Sequence, residues 1–278
     1  MDGAISTIDP KTKRWQSEVA FFDREAAEAA TNMGPIDPLA VARYGNLGLR
    51  RRFNKEFRFR LLGDIRGKSI LDVGCGYGGN VVLLAKLGAK VTGIDLSPKS
   101  IELARRRVEI NDVADSVELF CVPLETAQIP QRSFDVIWGD GILHHLIDNL
   151  DSMLDKLVPL AKPGGLIVFS EPVNLNRALR RIRSMLPIHT DATPDERPLE
   201  RREIEILRRH IPQLRLRFFD LFGRLNRFVL LRQNYERSPA PRRFVSNVFA
   251  SVDWLALTIP GLRNLAGQAV LWAHVDKT

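Results

Sequence analysis

Eleven residues, Ile70-Leu71-Asp72-Val73-Gly74-Cys75-Gly76-Tyr77-Gly78-Gly79-Asn80, set an acid two positions ahead of a run of glycines, at the end of an apolar segment. Glycines in such a turn let backbone amides approach a ligand, and a helix that follows directs its positive end at it. Gly74, Gly76 and Gly79 satisfy the dinucleotide spacing G-x-G-x-x-G, and Asp95 stands about where a ribose-binding acid belongs. By itself that pattern fits a nicotinamide oxidoreductase. Asp72 pulls the other way. A carboxylate beside a pyrophosphate meets like charge, whereas it suits a ligand with a cationic end. S-adenosylmethionine has an ammonium, a sulfonium and a ribose for Asp95, and no phosphate.

A second group follows an apolar run further on, in Phe134-Asp135-Val136-Ile137-Trp138-Gly139-Asp140-Gly141-Ile142-Leu143-His144-His145. His145 or His144 there could act as a general base on a hydroxyl, phenol or acid. Each could equally be a packing residue with its ring bonded to backbone. Asp140 is a second candidate base or substrate-orienting acid, and its plain alternative is a solvated turn carboxylate. A metal site is not expected: no third histidine and no Cys-x-x-Cys supports the pair.

These residues need a frame that brings them to one edge. Ser69–Val73, Lys90–Ile94, Ser116–Val122, Phe134–Trp138 and Leu166–Ser170 read as strands. Between them, helices are expected at Gly79–Leu87, Pro98–Asn111 (with Ser97 as N-cap) and Leu146–Leu160. Strand and helix alternating at this spacing mean a parallel sheet with helices on both faces. Upstream, Trp15 to Asn32 carries helical spacing, and a basic amphipathic stretch runs from Leu39 to Leu62, including Arg50, Arg51, Arg52, Lys55, Arg58 and Arg60. After Pro172 the alternation stops. A basic stretch at Ala178–Leu186 and a polar loop at Thr190–Pro198 lead to a helix at Glu200–His210, then a strand-like Leu214–Leu221. An amphipathic helix at Phe244–Leu257 and a final strand at Gly267–Val275 complete the chain.

Four segments resemble a known family. They are LDVGCGYGGN (Leu71–Asn80), VTGIDLS (Val91–Ser97), SFDVIWGDGILHHL (Ser133–Leu146) and LAKPGGLIVFSEP (Leu160–Pro172). In that order and spacing they resemble a class I S-adenosylmethionine-dependent methyltransferase of the small-molecule type, the group that includes quinone-biosynthesis methyltransferases. The resemblance implies a seven-stranded, mostly parallel Rossmann-like α/β sheet with its last strand antiparallel and helices on both faces. It implies a helical lid over 1–63, a core over 64–221, a basic amphipathic insertion over 222–266 and the last strand over 267–278. It also implies that Asp72 lies near the methionine ammonium, and that Gly74, Cys75 and Gly76 line the methionine portion. Asp95 would take both ribose hydroxyls, Leu96 would pack on the adenine, and the Gly139 carbonyl would face the ammonium. Where members often show Asp-Ala, this chain has Pro123-Leu124, so only the Leu124 amide, with Glu125 nearby, is carried over. Amine or nucleobase methyltransferases of one branch carry an Asn/Asp-Pro-Pro-aromatic motif where this chain has Gly139-Asp140-Gly141-Ile142, which counts against base-amine methylation.

Composition bounds the remainder. The 278 residues are 45% apolar and 27% charged, enough to bury a full core and against whole-chain disorder. Two cysteines, Cys75 and Cys121, exclude a disulfide scaffold. The start, MDGAISTIDPKTKRW, has no apolar core of signal-peptide type, and no run suits a membrane span, so a cytoplasmic protein is expected. The net charge of +8 is concentrated: residues 174–243 hold seventeen Arg and no Lys against eight acids. The partners expected are a small-molecule acceptor, lipophilic or anionic, and an anionic membrane touched peripherally. Nucleic acid is not expected, because the segment lacks aromatic interleaving of RNA-binding type. A non-catalytic adapter that keeps the cofactor fold is the rival from another class.

Overall fold

The computed structural model describes residues 10–31, 33–46, 48, 52–176, 197–231 and 234–276. Seven strands form one sheet in the order β3-β2-β1-β4-β5-β7-β6. They are β1 (Ser69–Val73), β2 (Lys90–Asp95), β3 (Val117–Cys121), β4 (Phe134–Asp140), β5 (Ala161–Pro172), β6 (Arg215–Phe219) and β7 (Gln268–His274). All pairings are parallel except those of β7, which runs antiparallel between β5 and β6. The central strands are buried on both faces: Ile70, Leu71, Ile137, Trp138 and Val168 are shut off from water. That explains their continuous apolar runs, where a half-exposed strand would alternate.

Helices α1 (Pro10–Ala30), α2 (Pro38–Gly45) and α3 (Asn54–Leu62) precede β1. Then come α4 (Gly79–Lys86), α5 (Pro98–Ile110), α6 (Leu150–Leu157), α7 (Arg201–His210) and α8 (Ala240–Ala256). Ser97 caps α5, its hydroxyl accepting from the Ser100 N–H at 3.0 Å. The Leu39–Leu62 stretch is two helices rather than one. Gly45 and Asn46 end the first, and the Asn46 side chain accepts from the Gly48 N–H instead. The helix expected at Leu146–Leu160 shortens to α6, with 3-10 turns at Ile147–Asn149 and Val158–Leu160, the latter around Pro159, which has no N–H to give. Arg50, Arg51, the basic stretch at Ala178–Leu186 and all but the last two residues of the Thr190–Pro198 loop lie outside the described residues.

The N-terminal helices and the segment between β6 and β7 are fastened to each other. Arg43 of α2 donates to Glu56 of α3 and, at 2.6 Å, to Glu236 of the inserted segment. Arg237 donates to Asp37 at 2.8 Å, and the Phe53 and Tyr235 rings meet edge to face at 5.5 Å. α8 is held by its own acid: the buried Asp253 carboxylate accepts from the N–H groups of Leu221, Phe222 and Gly223 at 3.0, 2.8 and 2.9 Å.

Beside Asp253 sits Asp220, which is half-buried and whose carboxyl is pushed up to about 6, first by desolvation and then by the Asp253 charge. A carboxyl with a raised folded pKa holds its proton more tightly in the fold than in the unfolded chain. Stability therefore falls as pH rises from about 4 to about 6, and the deficit persists above. Asp220 has φ of +64°, a conformation asparagine also tolerates. Asp220→Asn is expected to raise the unfolding free energy by about 1–2 kcal/mol at neutral pH and by almost nothing near pH 4. Urea unfolding at the two pH values measures this, and an equal gain at both would show the two acids do not interact.

Candidate active site

The strand order reverses between β1 and β4, which opens a crevice at their carboxyl ends, the usual ligand position in an open α/β sheet. A cavity of about 450 Å³ lies there, within the range of small-molecule sites. Its floor comes from the glycine loop after β1, from Asp95 and Leu96 at the end of β2, from Val122 to Glu125 after β3 and from Asp140 to Ile142 at the end of β4. Its roof comes from α1 (Trp15, Glu18, Phe22, Glu25), α2 (Ala40, Tyr44) and α3 (Lys55). The α1 residues recur at helical spacing, so one face of that helix covers the opening. The same helix is pinned to the core by Asp23, whose carboxylate accepts from the Ser97 hydroxyl at 2.6 Å and the Lys99 N–H at 3.2 Å.

The loop is shaped by close approach. Gly74 has φ of +68°, and a Cβ there would lie 2.6 Å from Ile142. The Gly74 and Cys75 N–H groups both donate to the Ile94 carbonyl, joining the ends of β1 and β2. Asp95 accepts from the Gly76 N–H at 2.8 Å and the Ser97 N–H at 2.9 Å, one through each oxygen. Each oxygen keeps further lone-pair capacity. Burial raises the Asp95 carboxyl, and these backbone donors oppose the rise.

Asp72 is almost completely buried, and its Oδ2 has no hydrogen-bond partner. Desolvation first, then the charge of Asp140, lifts its carboxyl well above the usual range. Asp140 behaves oppositely. Burial works to raise it, but Arg58, Lys55 and Asn80 together outweigh burial and the carboxyl is held below its usual value. Arg58 Nη2 donates to Asp140 Oδ2 at 3.0 Å, Nη1 lies 3.0 Å from Oδ1, and Asn80 adds a 3.2 Å hydrogen bond. Arg58 also stacks on Trp138, 4.6 Å from the ring centroid. Asp140 is thus an anchored anion, poorly suited to take up a proton. Desolvation pushes the Cys75 thiol well up, so it stays protonated.

The two histidines part company. His145 lines the cavity with its ring edge to face against Phe22 at 5.3 Å. His144 is not among the lining residues. Its Nδ1 donates to Oε2 of Glu171, a fully buried acid at the end of β5, at 2.9 Å. The other oxygen of Glu171 accepts from the Ile142 and Leu143 N–H groups at 2.9 and 2.8 Å. Glu171 and His144 together fix the turn that carries His145. Leu124 and Leu96 line the cavity. Gly139 sits one residue behind the wall, where a Cβ would strike Phe169 at 2.5 Å.

The sequence did not single out Glu171, Lys55, Arg58, Trp15 or Phe22 for this site. For Glu171 a signal existed: β4 and β5 are parallel neighbours, so an acid ending one faces the turn that ends the other. The lid residues come from helices whose docking no local pattern reports.

A methyltransferase-domain profile matches residues 71–169. A ubiquinone biosynthesis O-methyltransferase of Shewanella pealeana is 30% identical over 200 residues, covering 66% of this chain and 75% of that protein. The chain belongs to the class I S-adenosylmethionine-dependent methyltransferases. A second ubiquinone biosynthesis O-methyltransferase, from Neisseria meningitidis serogroup C, is 38% identical over 109 residues; this match spans only 45% of that protein's length and 38% of this chain. The fold agrees with that of geranyl diphosphate C-methyltransferase from Streptomyces coelicolor A3(2), at a TM-score of 0.57 and 16% identity over 98% of this chain and all of that one.

The cofactor of this methyltransferase is S-adenosylmethionine, and the residues present fit it. The orphaned Asp72 oxygen suits a cationic group, and Asp95 offers one carboxylate for two hydroxyls. Nothing in the loop favours a pyrophosphate beside Asp72, so the nicotinamide reading of G-x-G-x-x-G is set aside.

Proposed function

We propose that the enzyme transfers a methyl group to a hydroxyl on a lipophilic aromatic acceptor, with His145 as general base. The observation that carries this reading is the placement of His145 and Phe22 in the same cavity as Asp95 and the glycine loop. Relatives named as O-methyltransferases support the choice of oxygen. Bound in the cavity, the cofactor supplies a methyl group on a sulfonium, which the acceptor oxygen takes by in-line SN2 displacement, leaving S-adenosylhomocysteine.

Each residue then has a task. Asp72 and Asp95 hold the two ends of the cofactor's polar outline. Trp15, Phe22 and Leu146 offer apolar and aromatic surface to an acceptor ring and exclude water. His145 receives the hydroxyl proton as the oxygen attacks. An anionic acceptor fits less well: Glu18, Glu25, Asp95, Glu125 and Asp140 all line this cavity.

The acceptor is reached at an anionic membrane surface. α8 is built inside out. It buries Ser246, Ala250 and Asp253, and it exposes Phe244, Val248, Val252 and Leu255 at helical spacing on the opposite side. The short helical turn Asn226–Val229 packs against it and exposes Phe228. Phe228, Phe244 and Leu255 are 69%, 68% and 63% exposed, where a soluble surface helix would put polar residues. Arg224, Arg227, Arg242 and Arg263 of the same segment are exposed as well, and the Arg227 guanidinium lies over the Phe228 ring at 4.7 Å. Exposed apolar side chains on a segment that also exposes several arginines match the chemistry of an anionic interface. Among the described residues, no helix is long and apolar enough to cross a membrane.

His145→Ala is expected to lower kcat on a 4-alkylcatechol by roughly 100-fold or more, while affinity for S-adenosylhomocysteine changes little. Near-normal turnover, or loss of cofactor binding in step with turnover, would remove His145 from the base role. Co-sedimentation with phosphatidylcholine vesicles is expected only when phosphatidylglycerol is included. Binding should weaken as salt rises, and Phe228→Ser, Phe244→Ser and Leu255→Ser together should abolish it. Indifference to both vesicle types at low salt, or binding to RNA alone, would overturn the membrane assignment.

A further inference from the structure

Two arginines away from the cavity meet on one indole. Arg217, on β6 at the edge of the sheet, is half-buried, and its guanidinium lies 3.8 Å from the centre of the Trp254 ring of α8. Arg60 of α3, also half-buried, approaches the same ring at 5.7 Å. Phe57 and Phe219 pack edge-on against that ring, with centroids 5.7 and 6.2 Å away. The edge strand, the lid and α8 thus converge on a spot that holds two cations.

A guanidinium carries five N–H donors in a fixed fork, and stacking on a ring leaves them for other partners. Arg217 Nη2 gives one to the Trp254 carbonyl, in the last turn of α8. Its Nε is buried with no hydrogen-bond partner. Desolvation, and then the charge of Arg52, hold its pKa below the usual value, and no acid among the described residues opposes them. Capping α8 and stacking on Trp254 account for one donor and one face. The remaining donors and the charge are unanswered, and a partly desolvated cation beside another calls for an anion from outside the fold.

The position of the pair says which anion. Trp254 stands on α8 between the buried row that holds Asp253 and the exposed apolar row that ends in Leu255. The arginines therefore border the apolar face, at the margin where indole rings gather between headgroups and acyl chains. A ligand with an anionic head and apolar tails meets both features at once. A phosphate also accepts two parallel N–H bonds from one guanidinium.

We infer that Arg217 and Arg60, set against Trp254, bind the phosphate of an anionic phospholipid headgroup whose acyl chains lie along the exposed row of α8. This rests on the reading of α8 as a membrane-facing helix. It goes further by distinguishing one lodged headgroup from the general pull of exposed arginines such as Arg242.

Salt separates the two. Co-sedimentation with vesicles of phosphatidylcholine and phosphatidylglycerol is measured at low salt and at about 0.4 M, where exposed charges are screened within a few ångströms. Arg242→Gln is expected to weaken binding at low salt and to change it by less than about 2-fold at the higher salt. Arg217→Gln is expected to weaken it by about 10-fold at both, and Arg60→Gln to do likewise. Thermal unfolding and affinity for S-adenosylhomocysteine report whether each variant is folded; if Arg217→Gln is not, Arg60→Gln carries the comparison. A loss that disappears at the higher salt would make Arg217 one surface charge among others. Unchanged binding at both salts would leave it only a cap and stacking partner of α8. Either result overturns the inference and leaves the membrane reading standing. Calorimetry with inorganic phosphate is expected to show no saturable binding in the low-millimolar range. Saturable binding there that Arg217→Gln removes, with vesicle binding untouched, would assign the site to a free anion and overturn the lipid assignment. If the unmodified protein ignores the vesicles, the inference falls together with the membrane reading.

Discussion

A carboxylate buried at the end of a central parallel strand, with one oxygen unpartnered, is the constraint around which this molecule is arranged. Asp72 cannot be hydrated, and the nearest acids, Asp140 and Asp95, make its charge harder still to keep. A buried charge is tolerated only where something compensates it. The fold compensates Asp140 from within, through Arg58 and Asn80, and Asp95 through two backbone N–H groups. Asp72 Oδ2 has no such partner, and the proposed function assigns it a cationic ligand. In that reading, the same cluster that costs stability favours a cofactor with positive charge and no phosphate.

The lid follows from this. The cations that answer the acidic crevice, Arg58 and Lys55, come from α3 and not from the sheet, so the site is complete only when the N-terminal helices are docked. Their docking is secured from two sides. Asp23 of α1 holds the start of α5, and Arg43 of α2 reaches across to Glu236 in the segment between β6 and β7. The segment that shows exposed apolar side chains is therefore mechanically tied to the helices that roof the cavity. A surface that binds lipid and a roof that admits a lipophilic acceptor would share one set of contacts.

The sheet was legible in the sequence because parallel central strands announce themselves as unbroken apolar runs between glycine turns and capped helices. Six strands came out near the expected bounds, β5 starts five residues earlier than expected at Ala161, and β7 is antiparallel as the resemblance implied, lying between β5 and β6. The cofactor side was legible for the same reason: Asp72, the glycine loop, Asp95 and Leu96 belong to short segments whose local form dictates their position. What stayed hidden depends on contacts across long stretches of chain. His144 and His145 look alike in sequence, and only Glu171, 27 residues from His144, tells them apart. Asp140 reads as a free acid until Arg58 is found 82 residues away. α8 has an amphipathic pattern that suggests a buried apolar face; the structure turns that face outward because Asp253 is needed inside to cap the turn after β6.

A crystal structure of the protein grown with S-adenosylhomocysteine tests the central claim most directly. The account expects the ligand in the crevice between β1 and β4, with its ribose hydroxyls on Asp95 and its ammonium on the side of the Asp72 carboxylate. A ligand bound elsewhere, or a dinucleotide retained through purification with its pyrophosphate on the glycine loop, would contradict it.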